Sequence, residues 1–235
     1  VLAVLSSTAD GMSERCRQRW AVIMMNLAIP SSRVARANQA AQRPDGAYVL
    51  YWMTSARRTQ DNFGLQHALD RAQALGRPLL VLEALRCDYR WASARFHRFI
   101  LDGMAENRRA LRGPGLRHYA YVEPSPGQGR GLLEALAANA CLVVTDHFPC
   151  FFLPRMVAAV AGRLPVAVEV VDSNGVMPLS LAPKVFTTAF SFRRHLHKNI
   201  LNHLLEMPLE SPLAAVRLAG QVQIPSSLSE RWPEA

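Results

Sequence analysis

Lysine is almost missing from this 235-residue sequence: Lys184 and Lys198 are the only two, so a formal charge of +9 is carried by arginine. Two readings of that excess stay open. It suits a partner rich in phosphate, such as DNA, or it reflects an Arg-, Ala- and Leu-heavy composition drawn from a GC-rich genome. Cysteine is scarce as well. Cys16, Cys87, Cys141 and Cys150 make no C-x-x-C pair and lack metal-site spacing, which leaves them as small core residues of a reducing cytoplasm. No apolar run approaches the ~18 residues of a membrane helix, so no membrane partner is expected. Ser-His-Asp, Cys-His and metal constellations are missing too, and His97, His118, His195, His197 and His203 are scattered. No repeat links the parts of the chain.

What the sequence does have is apolar residues, half of the total, enough for one large core. Ala47 to Met53 is a β-branched and aromatic run bounded by Pro44-Asp45-Gly46, and it reads as a buried strand. After Thr54, Ser55 and two arginines, Phe63, Leu65, Ala68, Leu69, Ala72 and Leu75 recur at helical spacing up to a C-capping Gly76. Strand, polar turn and helix form the first unit of an α/β sheet. Ligands of such sheets sit outside the carboxyl ends of the strands, which puts Met53, Thr54, Ser55, Arg57 and Arg58 at the rim.

The same alternation continues. PLLVLEAL is a second strand ending near Glu83, and the stripe from Phe96 to Leu111 is a helix stopped at Gly113-Pro114-Gly115. LRHYAYVE reads as an edge strand, GLLEALAANA as a short helix, CLVVTD as the fourth strand, LPRMVAAVAGRL as a helix and VAVEVVD as the fifth strand. The predicted fold is therefore α/β, a doubly wound five-stranded parallel sheet with helices on both faces. Residues 1–42 fit poorly with this pattern and are expected to be an irregular arm, with Met24 or Met25 as alternative starts that would make the first residues translated upstream sequence. PGQGRG, Pro126 to Gly131, follows an edge strand and lacks both phosphate-loop and dinucleotide endings, so it reads as a loop entering a helix.

YVLYWMTSARRTQDNFGLQHAL resembles the start of the photolyase domain of class II-like deoxyribodipyrimidine photolyases, with Trp52-Met53, Arg58, Asn62 and Leu65 as the carrying set. Thr145-Asp146 resembles a step found in family members with repair activity, although His147-Phe148-Pro149-Cys150 departs from the family's usual continuation. Asp172-Ser173-Asn174 and the segment from Phe186 to Leu209 resemble the pieces that follow. The resemblance implies a Rossmann-like antenna domain over residues 43–205 and an interdomain connector over 206–235. In that family the flavin FAD, the repair of pyrimidine dimers and the carbon–carbon lyase activity belong to a separate helical domain. This chain alone is then expected to bind no FAD and to repair nothing.

An antenna chromophore, whether deazaflavin, folate or a second flavin, is expected at Trp52, Met53, Thr54, Arg57, Glu83, Asp146, Phe148 and Asn174. Replacing Asp146 by Ala is expected to weaken its binding with little loss of stability. Arg193, Arg194 and Lys198 are the expected DNA contacts of the full-length enzyme, against a solvated helix face as the plainer role. The surface toward the helical domain, carried by Phe186 to Leu205 with Leu213, Val216 and Leu218, is expected to drive self-association when uncovered. Two other readings remain: a stand-alone α/β nucleotide-binding protein using the same crevice, and a remnant that serves only as a packing module.

Overall fold

A run of six residues with no exposed side chain, Tyr48–Met53, forms the central strand β2 of the sheet in the computed structural model, which describes residues 29–235. Such a run must be covered on both faces, and both are covered. Val49, Tyr51 and Met53 meet helix α1 (Phe63–Leu75), while Tyr48, Leu50 and Trp52 point to the opposite layer. The chain then builds outward through β3 (Leu79–Leu85), helix α2 (Ala94–Ala110) and β4 (Leu116–Val122). It returns past α3 (Leu132–Ala137) to lay β5 (Ala140–His147) on the other side of β2, and α4 (Leu153–Ala161) leads to β6 (Val168–Asp172).

These five strands are parallel in the order β6-β5-β2-β3-β4, as the alternation predicts. A sixth strand is added. β1 (Val34–Arg36) pairs antiparallel with β6, with Val34 opposite Val171. This corrects the expectation of an irregular arm for its described portion; residues 1–28, with Cys16 and both alternative starts, lie outside the described residues. The anchor is Arg33, 2% exposed, whose guanidinium donates to the carbonyls of Asp172 (3.1 Å), Gly175 (3.2 Å) and Val176 and lies 4.3 Å from the Phe63 ring. Of the described cysteines only Cys141 is buried; Cys87 is half-buried and Cys150 exposed, so the core reading holds for one.

The α1 face carries Val49, Tyr51, Leu79, Val81, Leu142 and Val144, and Met104 of α2 extends it toward Leu85 and Ala120. The other face carries Leu50, Leu80, Leu82 and Val143 under Leu132 and Leu136 of α3 and Val157 and Ala161 of α4. Helix α5 (Ala189–Asn199), capped by the Thr188 side chain, buries none of its residues.

The segment expected to be an interdomain connector, residues 206–235, packs against this domain along much of its length. Leu213, Val216 and Leu218 pack on the α1 face, so they do not belong to an uncovered surface. The chain then passes Gly115, where a Cβ would meet Leu218 Cβ at 2.5 Å, and Gly220 passes beside Pro78. Val222, Ile224, Leu228 of helix α6 (Ser226–Arg231) and the buried Trp232 join the opposite core. Apolar side chains at irregular spacing make this strap; burial, not secondary structure, holds it.

Candidate functional site

The crevice rule points to the ends of β2 and β5, where the chain order reverses. That place is filled. Asp146, 2% exposed at the end of β5, accepts from Tyr51 Oη (2.6 Å) through Oδ1 and from the amides of Thr54 (2.8 Å), Ser55 (2.8 Å) and Ala56 (3.0 Å) through Oδ2. Three successive N–H groups around one carboxylate oxygen form an anion nest whose anion is part of the protein. Burial, with the Asp146 charge beside it, pushes the Tyr51 phenol well above its ordinary value, so it remains a donor. Gly64 is required here: a Cβ would stand 2.8 Å from Asp146 Oδ1 and 2.9 Å from Tyr51 Oη. Asn62 completes the knot by capping α1 through the Leu65 amide and donating to the carbonyls of Ala56 (2.9 Å) and Arg58 (2.8 Å).

Glu83 is likewise built in. On the α1 face its carboxylate is met by Arg57 Nη1 (3.3 Å), Asn107 Nδ2 (3.2 Å) and His118 Nε2 (3.0 Å). Burial by itself would raise this carboxyl, but the bond to His118, the Arg57 charge and the bond to Asn107 hold it below the ordinary range. Arg57 also donates to the Ala84 carbonyl (2.5 Å). Met53 is fully buried beside Asn107, and Thr54 belongs to the Asp146 nest. Asn174 ties the His147 carbonyl (2.7 Å) to Asp172 (2.9 Å). Phe148 stacks on Phe151 at 6.4 Å, and Phe151 meets Trp91 edge-on at 6.2 Å. Phe151 and Trp91 are both exposed, and Phe151 has a left-handed φ of 61°. The contact joins the loops after β3 and β5, the two neighbours of β2, across the end of that strand.

The open space lies beside this knot, at the carboxyl ends of β2, β3 and β4 on the α3 face. It is a cavity of about 760 Å³, with Trp52, Leu82, Tyr121, Leu132 and Leu133 as its apolar wall. Arg86, Asp88, Glu123 and the loop Pro126 to Arg130 supply its polar parts. Of the eight chromophore-site residues expected from sequence, Trp52 alone lines this cavity; the other seven tie strand ends and loops together or stand on the rim. The volume lies in the range of small-molecule pockets, which are mostly apolar with a few oriented polar groups.

Glu123 was not singled out by the sequence, yet it shapes the wall. Its Oε1 accepts from the amides of Gly127 (2.9 Å) and Gly129 (3.1 Å), and its Oε2 from the Cys87 amide (3.2 Å). Burial opposes the charge, and these amide bonds prevail, holding the carboxyl below its ordinary range. The glycine amides that would cradle a phosphate are thus already occupied by an internal carboxylate, in line with the loop reading of PGQGRG. The signal available was a glutamate closing an apolar strand, three residues before a Pro/Gly-rich turn. Arg193, Arg194 and Lys198 stand exposed on α5, the two arginines about the Phe190 ring at 6.0 and 5.9 Å. Among the described residues no group of His, Cys, Asp and Glu could hold a metal, and no helix is long and apolar enough to cross a membrane.

Residues 49–212 match the family described as DNA photolyase. The chain is 30% identical over 156 residues to the deoxyribodipyrimidine photo-lyase of Methanothermobacter thermautotrophicus, covering 66% of this chain and 34% of that protein. It is 31% identical over 187 residues to the enzyme of that name from Oryza sativa subsp. japonica, covering 75% and 36%, and 27% identical over 168 residues to that from Arabidopsis thaliana, covering 70% and 34%. The chain spans about a third of the length of these curated relatives. With a six-stranded, mostly parallel α/β sheet and the family match spanning well over half of its residues, the chain belongs to the DNA photolyase family and carries a photolyase-type α/β domain.

Proposed function

We propose that this domain is the antenna module of a light-driven repair enzyme for pyrimidine dimers in DNA, and that the cavity floored by Trp52 holds a planar chromophore. The observation that carries the reading is the cavity itself: about 760 Å³, at the carboxyl ends of the strands, with an apolar wall that includes an indole and a polar side made by Arg86, Asp88 and Glu123. An aromatic wall suits a flat conjugated ring, which buries its faces on carbon and leaves its polar edge to a few oriented groups. Deazaflavin, folate and flavin are the candidate classes. When bound, such a group would supply light absorption; Trp52 and Tyr121 would seat the ring, Glu123 would hold the glycine loop against it, and Arg86 and Asp88 would meet its polar edge.

In this reading FAD and dimer repair reside in a helical domain that packs against this one, and the lyase activity is not this domain's own. The exposed side chains of Phe190, Leu201, Leu204 and Leu205 support such a partner or, without it, self-association that survives high salt. Arg193, Arg194 and Lys198 would then add contacts to DNA phosphates in the whole enzyme. The alternative of phosphate-led nucleotide binding is disfavoured by Gly127 and Gly129, whose amides already serve Glu123.

The test is a chromophore panel. The purified chain is titrated with a deazaflavin, methenyltetrahydrofolate, riboflavin and ATP, following visible absorption, ligand fluorescence and melting temperature. The reading expects one-to-one binding of a planar chromophore and no effect of ATP. Stabilisation by ATP alone would replace it with the nucleotide reading, and a response to none of the four would leave a packing module.

A further inference from the structure

We infer that Trp232 is a latch on the glycine loop, so that seating of the C-terminal strap and occupancy of the cavity are coupled. Two tethers leave the stretch from Pro126 to Arg130. The inner one is Glu123, bonded to the amides of Gly127 and Gly129. The outer one is Trp232, whose Nε1 donates to the Gln128 carbonyl at 2.8 Å. Its ring lies against Gly131, where an added Cβ would stand 3.5 Å from Cζ2. Pro126, Gly127, Gln128, Gly129 and Arg130 all line the cavity, so the tryptophan holds a wall from outside while the glutamate holds it from within.

The latch is itself well seated. Trp232 is 3% exposed in the core of the α3 face, under the Arg231 guanidinium at 4.3 Å. The Tyr119 hydroxyl donates to its carbonyl. Beyond it the chain runs beside the edge strand β4: the Ala235 amide donates to the Ala120 carbonyl (2.9 Å), and Arg117 pairs with Glu234. The strap therefore satisfies the Ala120 carbonyl on the sheet edge, and its aromatic anchor fastens the cavity loop.

The physical consequence is reciprocal. A ligand that needs the loop in place binds better when the strap has already ordered it, and a bound ligand must favour the seated strap by the same factor. Trp232 is thus a positioning residue for the cavity. The identity of the ligand rests on the antenna reading above, whereas the latch rests on the contacts of Trp232 alone.

Trp232→Phe tests it: an aromatic ring stays in the core, the N–H and the part of the indole that lies against Gly131 are removed together, and a peptide from β5 controls for general loosening of the core. Loss of one such bond corresponds to about a fivefold effect. Amide exchange of the peptide covering residues 126–131, read by mass spectrometry, is expected to accelerate by about that factor while a peptide from β5 is unchanged. Riboflavin affinity is expected to fall by a similar factor, and saturating riboflavin to slow trypsin cleavage after Arg231 in the wild-type chain more than in the variant. Equal loop exchange in variant and wild type overturns the latch. Equal riboflavin affinity, or cleavage indifferent to riboflavin, overturns the coupling. If the panel shows the deazaflavin or methenyltetrahydrofolate to be the chromophore bound, that compound replaces riboflavin here; failure of all three to bind the wild-type chain overturns the antenna reading and the coupling together, and the exchange comparison still decides the latch.

Discussion

Removing the Asp146 carboxylate should be one of the most damaging single changes available to this domain. Asp146→Ala strips the acceptor from five donors at once: Tyr51 Oη, the Thr54 hydroxyl and the amides of Thr54, Ser55 and Ala56. Thr54 and Ser55 are half-buried, so water can re-solvate their amides. Tyr51 and Ala56 are buried, and each donor left without a partner costs about 1–3 kcal/mol. The sum is a loss of about 2–6 kcal/mol, a large part of the roughly 5–15 kcal/mol that a domain has in total. Asp146→Asn keeps one oxygen for the three amides, and its NH₂ can face the Tyr51 hydroxyl turned to accept, so its cost should stay near 1 kcal/mol. Urea unfolding of the three proteins gives the numbers directly, with unchanged slope showing that only stability moved. An Asp146→Ala protein within about 1 kcal/mol of wild type would refute this assignment and return Asp146 to the role expected from sequence, a ligand contact with little structural weight.

Gly46→Ala should cost about 2–3 kcal/mol, because a Cβ there would stand 2.5 Å from the Cys141 amide nitrogen and neither backbone can yield easily; a variant with wild-type melting would show that β5 can shift. Glu83, whose carboxyl is held below its ordinary 4.5, contributes stability that is complete above that pH and is lost as pH falls through its lowered folded-state value. Melting curves from about pH 7 down to 3 should therefore converge for wild type and Glu83→Gln, and curves that stay parallel would deny the carboxylate its role. Arg33→Met should detach β1 from β6 by removing three carbonyl contacts, seen as faster amide exchange at Val34 to Arg36; unaltered exchange there would mean that strand pairing alone holds the edge.

Much of the fold was legible because its strands are buried on both faces and its helices carry caps. Phe63–Leu75 ends at a left-handed Gly76 as its spacing predicts, and the edge position of β4 follows from its polar residues. Strand β1 was hidden because three residues, largely exposed, have no apolar pattern; only the buried Arg33 beside them marks the place. The strap was hidden for a related reason: Leu218, Leu228 and Trp232 are widely spaced anchors without a period. Asp146 stands at the strand end as expected, while its bonds to backbone amides some ninety residues away leave no trace in residue types. Trp52, expected as a chromophore contact from the family resemblance, lines the cavity because alternation along β2 turns it to the α3 face.

On the antenna reading, a planar ligand sits in the cavity beside Trp52. Ala84 lines it from β3, so Ala84→Trp fills it with an indole at a position that is not fully packed. Equilibrium titration of wild type and this variant with riboflavin, followed by quenching of the ligand's fluorescence, compares the open and filled cavity. The wild-type chain is expected to bind one-to-one and the variant at least about tenfold more weakly, with both proteins folded. Equal affinity for the two would place the ligand elsewhere and contradict that reading.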